Sequence, residues 1–140
     1  MANGRFNRSV DNELKFMASA TLTPGGDGDT ANATGVAVSS IGIGGDENID
    51  ILYAVSAAAG TIDASNYITV EMQASDDDST YVPVLETRAK VTEVGTILVA
   101  VNTREIYEAV ADATHFRVTA TQAGTTATAV TLAAYFSKGV

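Results

Sequence analysis

The chain has no cysteine and no tryptophan, and only one histidine, two prolines and eight basic residues among 140. Without cysteine there can be no disulfide framework, thiol nucleophile or thiolate metal site. With His115 as the lone histidine, the multi-histidine ligand sets of catalytic zinc sites are excluded. No apolar run approaches the roughly 20 residues needed to span a membrane. The first eight residues, Met1 to Arg8, lack the apolar core of a secretory signal. A soluble protein made in a reducing cytoplasm is therefore expected. A chain of 140 residues can form one domain that buries about two thirds of its unfolded surface without metal or disulfide.

Basic residues are scarce and also unevenly placed. Between Lys15 and Arg88 there is none, while eleven acids fall in that interval. Arg5, Arg8 and Lys15 all lie in the first fifteen positions, and the net charge is −9. So acidic a body repels phosphates and resists nonspecific self-association, so neither nucleic acid nor a membrane is an expected partner. The division predicts an N-terminal arm, residues 1–15, and a single domain, residues 16–140. The basic arm is suited to dock on an acidic surface, including the body of another copy.

Thr, Val, Ala, Gly and Ser dominate what is present, and strong helix formers are few. The clearest element is Tyr67 to Leu85, in which an alternating run enters an acidic turn and returns through an aromatic and β-branched run. This is a β-hairpin pattern, with Ile68, Val70, Met72 and Ala74 on the inward face. Pro83 cannot donate to a ladder, which places the returning strand at an edge or a bulge. Other expected strands cover Phe16 to Thr23, ended by Pro24-Gly25-Gly26, then Gly35 to Ser40 and Asn48 to Ala57. The segment before Thr34 reads as loop. Thr96 to Asn102 is almost wholly apolar, as in a central strand covered on both faces. Thr103 to Asp112 predicts a short helix capped by Thr103. His115 to Thr121 and Thr126 to Ser137 read as a second hairpin around Gln122 to Thr126. Seven or eight short strands with at most one helix predict an all-β fold, an antiparallel β-sandwich with Greek-key or jelly-roll wiring.

Chemistry is thinly represented. No Gly-x-Ser-x-Gly elbow supports a catalytic triad on His115, and no phosphate loop or dinucleotide fingerprint is present. Two acidic loops offer oxygen ligands for a hard cation, Asp27 and Asp29 in one and Asp76, Asp77 and Asp78 in the other. Asp and Ser also populate turns because they bond their own backbone, and that is the preferred reading at both loops. No metal or other cofactor is expected. The absence of tryptophan weakens a sugar-binding reading, since such sites are built on aromatic platforms.

The run Ala74-Ser75-Asp76-Asp77-Asp78-Ser79-Thr80-Tyr81, followed by Val82-Pro83-Val84, resembles a hairpin of small structural proteins of tailed bacteriophages. The ending His115-Phe116-Arg117-Val118-Thr119-Ala120-Thr121, followed by Thr131-Leu132-Ala133-Ala134-Tyr135-Phe136, resembles the closing hairpin of such proteins. The resemblance covers roughly the C-terminal half and brings no catalytic residues. It implies a non-enzymatic virion protein, foremost a capsid decoration (cement) protein that sits on the head as a trimer. Its partners would be the major capsid protein or other virion subunits, with Arg5, Phe6 and Arg8 of the arm as contacts. A tail, fibre or head-fibre component is the nearest rival, and a carbohydrate-binding β-sandwich module is the rival of a different class.

Overall fold

The computed structural model describes residues 15–37 and 46–137, and the nominated arm contacts Arg5, Phe6 and Arg8 lie outside them. Two antiparallel sheets pack face to face. The first has the order β1 (Lys15–Leu22), β9 (Ala127–Ser137), β4 (Asn48–Gly60) and β7 (Gly95–Asn102). The second has the order β2 (Thr30–Asn32), β8 (His115–Ala123), β5 (Tyr67–Ser75) and β6 (Val82–Val91). The two-residue β3 (Val36–Ala37) also pairs with β8.

Most connections between described strands switch sheets, and the hairpin β5–β6 is the long exception. With β2 and β3 taken as one interrupted strand along β8, the eight-strand pattern is a jelly roll. The expected sandwich is therefore present, in the second of the two anticipated wirings. The segment before Thr34, read as loop, contributes β2.

Alternation explains the core. Ile49, Ile51, Tyr53 and Val55 of β4 and Val130, Leu132, Ala134 and Phe136 of β9 are buried on one inner face. Ile68, Val70, Met72 and Ala74 of β5, with Phe116, Val118 and Ala120 of β8, are buried on the other. Three phenylalanines from both sheets meet at one end. Phe136 has its ring centroid 4.5 Å from Phe16 and 5.1 Å from Phe116. Packed aromatic pairs add about 0.5–1.5 kcal/mol each beyond the area they bury.

Three expectations are corrected. First, β7 is the edge strand beside β4, not a central strand, and Leu98 on its outer face is 49% exposed. Second, β8 and β9 do not form a hairpin, because they belong to different sheets. Their link is a corner held from elsewhere in the chain. Gly28 N–H donates to Gln122 O at 2.7 Å, Gln122 N–H to Asp29 O at 3.0 Å, and Gly124 N–H to Asp27 Oδ1 at 2.9 Å. Gly60 (φ +80°) crosses so close to this corner that a Cβ would fall on the carbonyl oxygen of Thr126. Third, Asn102 rather than Thr103 caps the helix α1 (Thr103–Ala109). Its side chain accepts from Arg104 N–H at 2.8 Å, and Glu105 reaches back to complete a capping box. Thr103 instead ties the helix to residue 47, donating its N–H to Glu47 O and accepting Glu47 N–H on Oγ1, both at 2.8 Å.

Pro83 sits where its missing N–H predicted, on an edge strand of the second sheet. Pro83 itself pairs in register with Gln73, and the bulge of this strand lies beyond it. Val70 pairs with Ala89 and Met72 with Val84, so Leu85 to Arg88 stand opposite the single residue Glu71. Thr87 fills the break from inside. Its hydroxyl donates to Val84 O at 2.6 Å and accepts Met72 N–H at 2.8 Å. Tyr53, from the facing sheet, donates its hydroxyl to Thr87 O at 2.8 Å.

Candidate interaction surfaces

The acidic turn between β5 and β6 is built by its aspartates. Asp77 Oδ1 accepts Ser79 N–H at 2.9 Å and Thr80 N–H at 2.8 Å, and the Ser75 hydroxyl donates to it at 2.9 Å. Those bonds favour the ionised carboxylate and hold Asp77 below the ordinary value of 3.8. Asp78 adopts φ +58°, a conformation that non-glycine residues seldom take. Its carboxylate accepts the Tyr81 hydroxyl and lies 4.0 Å from His115 Nε2. Burial first, then this bond to Asp78, pushes the Tyr81 phenol up to about 12. Gly35 leaves the room that Tyr81 and Asp78 occupy, for a Cβ there would strike both.

The loop acids divide in the same way. Asp27 serves the corner through Gly124, and the Asp29 carboxylate lies over Gly25 and Gly26. Among the described residues no three His, Cys, Asp or Glu side chains converge as a metal site would require. Asp76 stands exposed at the tip. The turn-building reading accounts for Asp77, whereas Asp27 bonds the distant Gly124 and Asp78 does more than keep the tip solvated.

A prediction follows for acid. The native pKa of Asp77 is depressed, so the unfolded chain binds more protons in that range and stability rises with pH. The contribution is complete well above 3.8 and is lost as the pH falls through the lowered native value. An NMR titration of the Asp77 carboxyl should give a midpoint below 3.8, whereas a midpoint at or above it would show that the turn bonds do not form.

The outward face of the second sheet is polar and aromatic. Arg117 lies between Gln73 and Tyr81, donating from Nε to Gln73 Oε1 at 2.8 Å with its guanidinium 4.1 Å from the Tyr81 ring centroid. Lys90 Nζ stands 4.5 Å over Tyr67, and Arg88 pairs with Glu71 at 2.9 Å. Tyr67 and Tyr81 thus each give one ring face to a cation of their own chain. His115 opens β8, its Nδ1 2.9 Å from Thr114 Oγ1.

Among the described residues, the large exposed apolar side chains are carried by β6, β7 and the turn between them. There the edge strands β6 and β7 of the two sheets run side by side. Leu85 is 59% exposed, Val94 in the turn between them 54%, and Leu98 49%. Among the described residues no further strand pairs with either edge. Large exposed apolar side chains beside open strand edges are features of protein contacts. Sequence reasoning missed Leu98 because its neighbours on both faces are apolar, which hid the period of two. Ile97, Val99 and Val101 are the inward set, and the β-branched identity of Val99 and Val101 against Leu98 and Ala100 was the available signal.

No protein-family model matches the chain, and no curated protein matches it. Among solved structures it is similar to Xylanase10C from Cellvibrio japonicus in complex with xylopentaose. The identity is 16% and the TM-score 0.49, over 96% of this chain and 26% of that one. The chain spans about a quarter of that structure's length, and at this identity and score the similarity says nothing about function.

Proposed function

We propose that this jelly roll is a non-enzymatic virion structural protein, a decoration protein that binds and reinforces a bacteriophage head. The observation that carries the reading is the flank where β6 and β7 expose Leu85, Val94 and Leu98 beside open strand edges. A flank of this kind gains energy by burial against a neighbouring subunit, at about 25 cal/mol per Å² of apolar area removed from water. Support comes also from the hairpin sequence around Asp76 to Pro83 and its resemblance to small phage structural proteins. If the protein acts as a trimer, three modest footprints reinforce one another through high effective concentration. The work is mechanical, since separating shell subunits then also requires separating the decoration.

The test is co-sedimentation with capsids assembled from the major capsid protein of the same genome. Wild type should pellet with the shells, and the double variant Val94→Asp/Leu98→Asp should lose at least about tenfold in affinity, or 1.4 kcal/mol. Equal binding by the variant would remove the flank from the contact. Both side chains are exposed, so the substitutions leave the core intact.

One observation favours a second reading. Tyr67 and Tyr81 stand on the polar outward face of the second sheet, where a sugar chain could stack after displacing Lys90 and Arg117. Glycan-array binding lost in Tyr81→Ala would establish that carbohydrate-binding role instead.

A further inference from the structure

Basic side chains are rare in this protein, and most of those described share one face. The described residues hold five, Lys15, Arg88, Lys90, Arg104 and Arg117. Three of them, Arg88, Lys90 and Arg117, project outward from the second sheet, and the register places them there. Lys90 pairs with Thr69, one place from the buried pair Val91 and Ile68. Arg117 pairs with Gln73, one place from the buried pair Phe116 and Ala74. The strands of this sheet carry two acids. Glu86 lines the groove toward α1, and Glu71 accepts from Arg88 Nε at 3.1 Å and Nη2 at 2.9 Å.

Lys90 and Arg117 rest instead on Tyr67 and Tyr81, 4.5 Å and 4.1 Å from the ring centroids. Lys90 and Arg117 stand four residues apart along β5 and two strands apart across it, a diagonal of ~16 Å. Between them the outward positions include Thr69, Thr121 and Thr119, and Thr119 donates to Asn32 Oδ1 at 2.8 Å. This arrangement selects among ligands. A neutral sugar chain stacked on the tyrosines would push both cations off their rings and forfeit the attraction of each. A chain bearing carboxylates uses the cations where they stand. Arg117 donates from Nε to Gln73, and its outer pair of Nη groups has the fork geometry that takes a carboxylate. Lys90 Nζ supplies a compact charge for a second one. The hydroxyl and amide groups between these cations match sugar hydroxyls. β5 and β8 are interior strands, so an extended peptide gains no main-chain ladder on this face.

We infer that the outward face of β5 and β8 binds an acidic oligosaccharide, whose uronic-acid carboxylates reach Lys90 and Arg117 together. The diagonal between the two cations is longer than one sugar ring, so the ligand is a chain of several. The inference rests on the carbohydrate reading of this face and names the class of sugar it takes. It uses none of Leu85, Val94 and Leu98 on the flank.

Calorimetric titration of the full chain with an oligogalacturonate tests it, beside a neutral cello-oligosaccharide of equal length and a short polyglutamate. The uronate chain should bind about tenfold more tightly than either, and added salt should weaken it by screening the contact. Lys90→Gln and Arg117→Gln should each lower its affinity by about tenfold while the circular dichroism spectrum stays unchanged. Equal binding of the neutral chain would keep the carbohydrate reading and overturn the acidic one. Equal binding of polyglutamate would assign the face to acidic polypeptides and overturn the proposal as well. Failure of both sugars to bind would remove the carbohydrate reading itself. Wild-type affinity in both variants would move the site off this face and sink the assignment.

Discussion

Phe136→Ala is expected to lower the unfolding free energy by about 3–5 kcal/mol, the range for deleting a buried phenylalanine. Phe136 is fully buried, and its ring touches Phe16 of the adjacent strand and Phe116 of the facing sheet. Much of the remaining inner surface is Val, Ile and Ala, whose small side chains cannot swing into the space an aromatic ring leaves. The loss is a large share of the roughly 5–15 kcal/mol that holds a domain of ordinary stability together. Phe136→Leu keeps most of the volume and should cost less than about 1.5 kcal/mol if the site repacks. Urea unfolding followed by circular dichroism would measure both. A loss below about 1 kcal/mol for the alanine variant would mean that the three rings do not form the joint described.

Thr87→Val is the second large expected effect. Valine matches threonine in shape but removes the hydroxyl that serves Met72 N–H and Val84 O at the β6 bulge. Both main-chain groups would then be buried without partners, at about 1–3 kcal/mol each, for a total of about 2–6 kcal/mol. Thr87→Ser keeps the hydroxyl and should recover most of the loss. Tyr53→Phe removes one hydrogen bond to the Thr87 carbonyl and should cost about 1 kcal/mol. Burial drives the Tyr53 phenol well above its ordinary value, so it remains a neutral donor at any physiological pH. If Thr87→Val proved as stable as wild type, the bulge would have to be satisfied in another way.

The strands that could be read from sequence are those whose two faces differ chemically. In β5, apolar Ile68, Val70, Met72 and Ala74 alternate with Thr69, Glu71 and Gln73, so the pattern declares which side is buried. β7 carries Leu98 and Ala100 outward, and the apolar run concealed an edge. Pairing was harder still. A glycine-containing turn such as Gln122 to Thr126 suits a hairpin and a sheet-switching corner equally well. What decides between them is distant, namely the bonds from Gly28, Asp29 and Asp27 that keep the end of β8 in the second sheet. The helix cap was legible after all, because Asn102 with Glu105 three residues on is a capping-box signature. For the candidate site, the acidic turn was visible and its Asp77 bonds follow from known turn chemistry. The partnership of Asp78 with Tyr81 and His115 required the fold, and so did the apolar flank, which exists only where β6 and β7 come together.

The central claim is that this jelly roll reinforces a phage head, and heat measures it directly. Undecorated capsids built from the major capsid protein of the same genome would be scanned calorimetrically with and without the purified protein. Saturable binding with a raised temperature of shell disruption is the predicted result. Shells that neither bind the protein nor gain heat resistance would contradict the claim.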